Sequence, residues 1–250
     1  MTRKMADRAG RPEGWSDCAP GCDMRNPARK RGDVGRVGRL SWLSMIAVLP
    51  LALTATVPSA ASVTAAVVRV EAMGCRHLPR IGTGIVVYDG LIVTAAHTMS
   101  GATSVLVDGA DARIVALDAR TDIAVLDVPG RERVAALRVG TSGRVGPASI
   151  AVLRDGGVEI VDAPITKTAT IRYHDATAGI VAERHGLLLA AATRGGDSGA
   201  PVVAEGGLLL GIVFATSRAN AVSYAVDVGE VADLLERLGN RRDPVDTGSC

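Results

Sequence analysis

A serine in a glycine-rich turn is the residue of this sequence best suited to covalent chemistry. Ser198 lies within Gly-Asp-Ser-Gly-Ala-Pro, residues 196–201. A serine hydroxyl becomes a good nucleophile only when a base removes its proton and donors stabilise the oxyanion that forms. The flanking glycines allow the backbone N–H groups of Gly196 and Ser198 to point at one spot. Because Gly, Asp and Ser are also ordinary turn residues, the segment alone is compatible with a turn that has no function.

A candidate base and a candidate acid stand earlier in the chain. His97 ends the apolar run 93–96, and Asp122 opens another apolar run 25 residues later. Alone, His97 would be interpreted as a structural histidine and Asp122 as an aspartate that begins a strand. Together with Ser198 they follow the order His, Asp, Ser, with the first two residues in one half of the region. That is one of the chain orders in which the Ser-His-Asp triad occurs.

The region around these residues contains many short strand-like runs. Segments rich in Val, Ile, Leu and Ala alternate with turns such as Asp89-Gly90, which predicts an all-β barrel or sandwich. The connection between the two halves is expected at 141–146. The predicted strands are 63–70, 81–88, 91–95, 104–107, 113–116 and 123–128 in the first half, and 148–153, 158–160, 168–173, 187–191, 201–204, 208–214 and 221–226 in the second.

One helix is predicted at the end of the region. Asp227 is a good N-cap, and Glu230 stands three residues later, as in a capping box. Apolar residues then recur at helical spacing as far as Leu238, and Gly239 ends the helix. The sequence therefore predicts a β domain closed by an amphipathic helix over residues 227–239.

Several stretches of the chain resemble the trypsin-like two-barrel proteases across residues of about 65–238. They are VTAAH at 93–97, TDIAVLDV at 121–128, GDSGAPVV at 196–203 and GLLLGIVF at 207–214. Within that family the chain is most similar to HtrA-type proteases and to the actinobacterial MarP-type periplasmic acid-resistance proteases. The second likeness rests on DIAVLDVPG at 122–130, GIVF at 211–214 and TGSC at 247–250. Ala200 departs from the family, which usually has a second glycine there.

The resemblance implies an all-β, chymotrypsin-like fold. Two packed antiparallel six-stranded barrels would occupy about 62–142 and 143–226, followed by the helix at 227–239. The implied activity is that of a serine endopeptidase, which hydrolyses peptide bonds through an acyl-enzyme. A catalytically silent or regulated binding scaffold with the same fold is the alternative. Its usual mark is the loss of a triad residue, and none is missing here.

The resemblance also implies a role for each site residue. Ser198 would attack the scissile carbonyl, His97 would take its proton, and Asp122 would orient the imidazole. The backbone N–H groups of Gly196 and Ser198 would form the oxyanion hole. No metal or cofactor is implied, and the expected partner is a polypeptide substrate. The sequence leaves the oligomeric state open.

The substrate pocket can also be sought by position. Ala192 stands six residues before the serine, where trypsin-like enzymes that cleave after Arg or Lys place an acid. Phe214, Ala215 and Thr216 lie on the strand that would line the pocket, and Val222 would fall near its base. These residues predict a preference for an uncharged side chain before the cleaved bond.

The N-terminal residues have the pattern of an export segment. Residues 1–40 carry ten Lys and Arg against five Asp and Glu, whereas 41–250 carry 18 against 21. A disordered basic tail over 1–39 therefore precedes the apolar segment 40–61, which is either a signal peptide or a single membrane anchor. Both alternatives export residues 62–250, either anchored in the periplasm or cell envelope or secreted. The mildly acidic charge of that region argues against a nucleic-acid partner.

The cysteines divide between the tail and the exported region. Cys18 and Cys22 lie in the tail without a second pair of Cys or His nearby, so we expect no metal site there. Cys75 and Cys250 are the cysteines of the exported region. In an oxidising compartment they can pair, or each can stay a free thiol. The likeness to the MarP-type proteases implies a Cys75–Cys250 disulfide.

Overall fold

The computed structural model describes residues 60–74, 78–131, 136–155, 157–175, 180–217 and 219–248. The predicted tail, the segment 40–59, Cys75 and Cys250 lie outside these residues. Within the described part of the chain, no helix is both long enough and apolar enough to cross a membrane.

The helices are α1 (Ala60–Ala66), α2 (Ala96–Met99) and α3 (Val228–Leu238). The strands are β1 (Val67–Gly74), β2 (Arg80–Val86), β3 (Ile92–Ala95), β4 (Ala102–Val107), β5 (Ala110–Asp118), β6 (Ile123–Asp127), β7 (Ser149–Arg154), β8 (Gly157–Asp162), β9 (Ile165–Asp175), β10 (Ile180–Leu189), β11 (Pro201–Val203), β12 (Leu209–Ser217) and β13 (Val222–Asp227).

The strands follow the alternation of apolar and polar residues that predicted them. In β1, Val68, Val70 and Ala72 are buried, whereas Arg69 is exposed and Glu71 half-buried. This period of two is what a strand with one face on a core requires. Each predicted run overlaps a strand of the structure, with bounds that differ by up to seven residues, the largest difference being at the start of β10.

The first predicted strand is wrong at its beginning. The run 63–70 was expected to be extended throughout, but residues 60–66 form α1 and β1 starts only at Val67. The segment reads Ala-Ala-Ser-Val-Thr-Ala-Ala, and alanine has the highest helix propensity of all residues. Val63 and Ala66, three positions apart, both face the core, which fits a helical turn.

The first half of the domain is a closed antiparallel barrel, as predicted. Its strand order is β1-β2-β3-β6-β5-β4, with β4 pairing back onto β1. Aromatic residues make up 2% of the chain, so aliphatic side chains fill the barrel. Fully buried examples are Ile85, Ile92, Ile123 and Leu126.

The second half is a sheet of seven strands in the order β8-β7-β11-β12-β13-β10-β9. The family resemblance implied six strands here, but the structure has seven, because residues 157–175 are divided into β8 and β9 at Ala163-Pro164. Proline has no N–H to donate, so the ladder is interrupted there. The sheet nevertheless curls toward closure, since Gly146, just before β7, exchanges backbone hydrogen bonds of 3.0 and 2.9 Å with Ile165 in β9.

Helix α3 begins and ends where the sequence predicted. Asp227 Oδ1 accepts from the N–H of Gly229 at 2.8 Å, and Gly239 follows the last turn with φ 56°. Glu230 Oε1 accepts from the backbone N–H of His185 in β10 at 3.0 Å. The apolar stripe of α3 joins the same core cluster as the first barrel. The helix therefore packs against both halves of the domain, contacting β5 and β6 of the first barrel and β12 and β13 of the second sheet.

Candidate active site

His97 lies in the short helix α2, directly after β3. Its backbone N–H donates to Asp122 Oδ1 at 2.8 Å, and the N–H of Ala96 donates to the carbonyl oxygen of Asp122 at 3.0 Å. Asp122 immediately precedes β6, which pairs with β3, so the two residues are neighbours at one end of the first barrel. Asp122 has φ 61°, a left-handed conformation that a non-glycine residue seldom adopts. The surrounding hydrogen bonds hold it there.

Ser198 lies in the loop between β10 and β11. The loop is tied to the first barrel, because the N–H of Thr83 donates to the carbonyl of Ser198 at 2.8 Å. Thr83 Oγ1 also donates to the carbonyl of Gly196 at 2.9 Å. Gly199 has φ 87°, and a Cβ there would lie 2.0 Å from the carbonyl oxygen of Thr83. Only glycine fits this close approach of two backbones.

The structure brings together the serine, histidine and aspartate that the sequence singled out. His97 Nε2 lies 3.0 Å from Ser198 Oγ, and His97 Nδ1 lies 2.8 Å from Asp122 Oδ2. A carboxylate only accepts, so Nδ1 carries the proton and Nε2 of the neutral ring accepts from the serine hydroxyl. The Asp122 side chain is 5% exposed and that of His97 41%. The arrangement can therefore activate a serine at a surface that a large substrate can reach.

The backbone around Ser198 leaves two N–H groups available. The turn is closed by the N–H of Asp197, which donates to the carbonyl of Arg194 at 3.0 Å, and Gly196 has φ 94°. Among the described residues, the N–H groups of Gly196 and Ser198 donate to no protein acceptor. Two such donors beside a nucleophile can receive an oxyanion.

An ion pair that the sequence did not indicate supports this turn. Asp197 is buried between Gly196 and Ser198, and its Oδ1 and Oδ2 lie 2.5 and 3.2 Å from the guanidinium nitrogens of Arg154 in β7. Asp197 Oδ2 also accepts from the N–H of Arg194 at 2.9 Å. The hydrogen bond with Asp197 raises the pKa of Arg154 above its ordinary value, against the opposing effect of burial. Arg154 thus supplies a permanent cation opposite the buried carboxylate.

The residues predicted for the substrate pocket lie on two neighbouring strands and on the loop before Ser198. Thr216 in β12 donates from Oγ1 to the carbonyl of Val222 in β13 at 3.2 Å. Ala192 and Ala215 are exposed. The ring of Phe214 lies 4.7 Å from the guanidinium carbon of Arg184.

Two further hydroxyl residues beside the predicted pocket escaped the sequence analysis. Thr193 and Ser223 are buried, and their hydroxyl oxygens lie 3.0 Å apart. Ser223 Oγ also accepts from the N–H of Thr193 at 3.1 Å and donates to the carbonyl of Ala191 at 2.7 Å. Their positions next to Ala192 and Val222 are the signal that could have identified them.

Comparisons with known proteins identify the class to which this site belongs. The family described as the trypsin-like peptidase domain matches residues 82–212, more than half of the chain, and the chain belongs to that family. The serine protease Rv3671c of Mycobacterium tuberculosis (strain ATCC 25618 / H37Rv) is 28% identical over 180 residues, which cover 68% of this chain and 44% of that protein. The chain thus spans less than half the length of this curated relative. The magnetosome formation protease MamE of Magnetospirillum gryphiswaldense is 33% identical over 150 residues, 55% of this chain and 19% of that protein.

Solved structures agree with this family. The crystal structure of the active form of the Rv3671c protease superposes with a TM-score of 0.67 at 26% identity, over 76% of this chain and 87% of that one. The HtrA-type protease AlgW, solved with a tripeptide, shares the fold with a TM-score of 0.59 at 23% identity, over 72% of this chain and 64% of that one. The resemblance drawn from the sequence motifs is confirmed.

Proposed function

We propose that this chain is an exported serine endopeptidase that hydrolyses peptide bonds through an acyl-enzyme. The observation that carries the proposal is the hydrogen-bonded row of Ser198, His97 and Asp122, with spacings of 3.0 and 2.8 Å. The row lies where the first barrel meets the loop of the second sheet, in a chain that belongs to the trypsin-like peptidases. Nucleophile, base and orienting acid are thus in contact without any rearrangement.

Acylation follows from the geometry of the row. As Ser198 Oγ forms a bond to the scissile carbonyl carbon, its proton passes to His97 Nε2, and the carbonyl π electrons move onto oxygen. Asp122 accepts from Nδ1 and stabilises the imidazolium. The N–H groups of Gly196 and Ser198 donate to the oxyanion. When the tetrahedral intermediate collapses, the C–N bond breaks and the leaving amine takes the proton from Nε2.

Deacylation repeats these steps with water. Water gives its proton to His97 Nε2 as its oxygen bonds to the acyl carbon. The second tetrahedral intermediate expels Ser198 Oγ, which recovers the proton from the imidazolium. The carboxylic acid product leaves, and the row returns to its starting state.

An uncharged substrate side chain before the cleaved bond fits the pocket region. Ala192, six residues before the serine, provides no carboxylate that could bind Arg or Lys. The neighbouring groups are the hydroxyls of Thr193, Thr216 and Ser223, which are neutral and hydrogen-bonded to one another. A neutral pocket disfavours a charged group because the group would lose its hydration without gaining a counter-charge.

Export through the segment 40–61 belongs to the same proposal, with the chain either anchored or released. The contacts of the described residues support a Cys75–Cys250 disulfide within the exported domain 62–250. Gly74, the neighbour of Cys75, pairs with Ala102. At the other end of the domain, Thr247 Oγ1 donates to the carbonyl of Ala102 at 2.9 Å. Both chain segments that lead to the cysteines therefore contact the beginning of β4.

A fluorophosphonate probe tests the proposal, because it reacts with activated serines. We expect the full chain to be labelled at Ser198, and Ser198→Ala to remove the label. His97→Ala should slow labelling by about 10⁴-fold or more, since the parts of a triad act as a unit. Ser104→Ala, an exposed serine in β4, is the matched control and should label as the natural chain does. A folded natural chain that is not labelled at all would contradict the proposal.

A further inference from the structure

Arg184 is the largest fully buried side chain among the described residues, and neither the motifs nor the proposed mechanism account for it. It lies in β10 with a side chain that is 0% exposed. Arginine is almost never fully buried unless it is paired, because a guanidinium taken out of water loses its hydration. Its surroundings should therefore explain why it is there.

The guanidinium of Arg184 lies beside the carboxylate of Asp122, which also contacts His97. Its Nη1 lies 3.4 Å from Asp122 Oδ2, the same oxygen that accepts from His97 Nδ1. Nη1 also donates to the carbonyl of Thr121 at 3.1 Å, the residue just before Asp122. The ring of Phe214 covers the guanidinium with its centroid 4.7 Å from Cζ, a distance typical of a cation–π contact.

Other acids lie near Arg184 but have partners of their own. They share with it a polar cavity of about 650 Å³. Each of them contacts a different basic side chain: Asp118 contacts Arg237, Glu183 contacts Arg172, and Glu230 contacts His185. Asp122 forms an ion pair with Arg184 at 3.4 Å in addition to its contact with His97.

We propose that Arg184 is a positioning residue for the triad, an inference that rests on the proposed function. It holds the carboxylate of Asp122 through the ion pair and the backbone before it through the carbonyl of Thr121. Asp122 needs this support because its φ of 61° is unfavourable and its side chain is 5% exposed. Arg184 also places a positive charge beside the buried carboxylate of Asp122, so that neither charge is buried without a partner.

A second consequence concerns the two halves of the domain. Arg184 belongs to the second sheet, whereas Asp122 and His97 belong to the first barrel. The ion pair therefore joins the halves at Asp122, and the hydrogen bond from the N–H of Thr83 to the carbonyl of Ser198 joins them at the nucleophile. Arg184 acts through Asp122, so its loss should lower kcat and leave KM unchanged.

The test is a double-mutant cycle on the rate at which the full chain reacts with a fluorophosphonate. Arg184→Met keeps a long side chain without the charge and should slow the reaction by about 10- to 100-fold, a loss of about 1.4 to 2.7 kcal/mol of transition-state stabilisation. In the Asp122→Asn background the same substitution should cost less than about threefold, because the carboxylate it served is gone. Arg184→Lys should recover part of the rate. Arg172→Met, on the exposed surface of β9, is the control and should change nothing.

Thermal unfolding of each variant separates a lost fold from a lost function. Should Arg184→Met not fold, the same cycle is run with Arg184→Lys, which keeps the charge. If Arg184→Met slowed the reaction by the same factor in the natural chain and in the Asp122→Asn variant, Arg184 would have a purely structural role, and the proposal would be overturned. An unchanged rate in Arg184→Met would also overturn it. Failure of the natural chain to react would instead contradict the proposed function, and this inference with it.

Discussion

Replacing Arg154 by methionine removes the cation that faces the buried carboxylate of Asp197. Asp197 is 2% exposed in its side chain and Arg154 22%. Breaking one partner of a buried pair costs about 3–5 kcal/mol, and we expect the lower end because water reaches one side of Arg154. Since Asp197 stands between Gly196 and Ser198, its displacement should also misplace the oxyanion donors. Losing one such donor lowers kcat by about 10²- to 10³-fold.

The free energy of unfolding in urea and kcat on a peptide substrate measure the two effects. The double variant Arg154→Met/Asp197→Asn should regain part of the stability, because no charge then remains buried without a partner. Arg172→Met is the control: its pair with Glu183 is 73% and 47% exposed and should be worth less than about 1 kcal/mol. Equal, small losses for Arg154→Met and Arg172→Met would refute the reasoning.

The effect of Arg154 should not vary with pH near neutrality. A raised pKa means that the stabilisation is fully present below the unfolded value and is lost only as pH rises through the folded one. For an arginine that window lies above about pH 12. The difference in unfolding free energy between the natural chain and Arg154→Met should therefore be the same at about pH 6 and about pH 9. A clear difference between the two would mean that another titrating group controls the pair.

Further predictions concern the turn, the pocket and the disulfide. Gly199→Ala should cost at least about 2 kcal/mol in urea unfolding, whereas Gly143→Ala, with φ 72° but open space around it, should cost only about 1 kcal/mol; equal costs would exclude the clash. Ala192→Asp should raise kcat/KM for substrates with Lys or Arg before the cleaved bond by about tenfold or more, and an unchanged preference would place the pocket elsewhere. The mass of the intact protein from an oxidising compartment should increase by two hydrogens on reduction, and an unchanged mass would mean that Cys75 and Cys250 are free thiols. If the disulfide forms, Cys250→Ser should lower the free energy of unfolding by up to about 4–5 kcal/mol.

The strands and the last helix could be predicted because their signals are local. Alternating burial in β1, the cap at Asp227 and the stop at Gly239 depend on residues a few positions apart. The same reasoning failed at 63–66, where the segment Val-Thr-Ala-Ala fits a helix as well as a strand. The separate runs predicted at 158–160 and 168–173 did match β8 and β9 on either side of Pro164, whereas the count of six strands implied by the family resemblance did not hold for the second sheet.

Part of the candidate active site could likewise be predicted from local sequence signals, and part could not. The sequence was enough to predict the triad of His97, Asp122 and Ser198, because each of these residues stands in a short, characteristic segment. The residues that support them could not be predicted, because they are distant in the chain: Arg154 is 43 positions from Asp197, and Arg184 is 63 positions from Thr121. An arginine in a strand carries no local sign of whether it faces water or a buried carboxylate. Only the pairing of strands from distant parts of the chain decides which, and that makes the supporting charges a property of the tertiary structure.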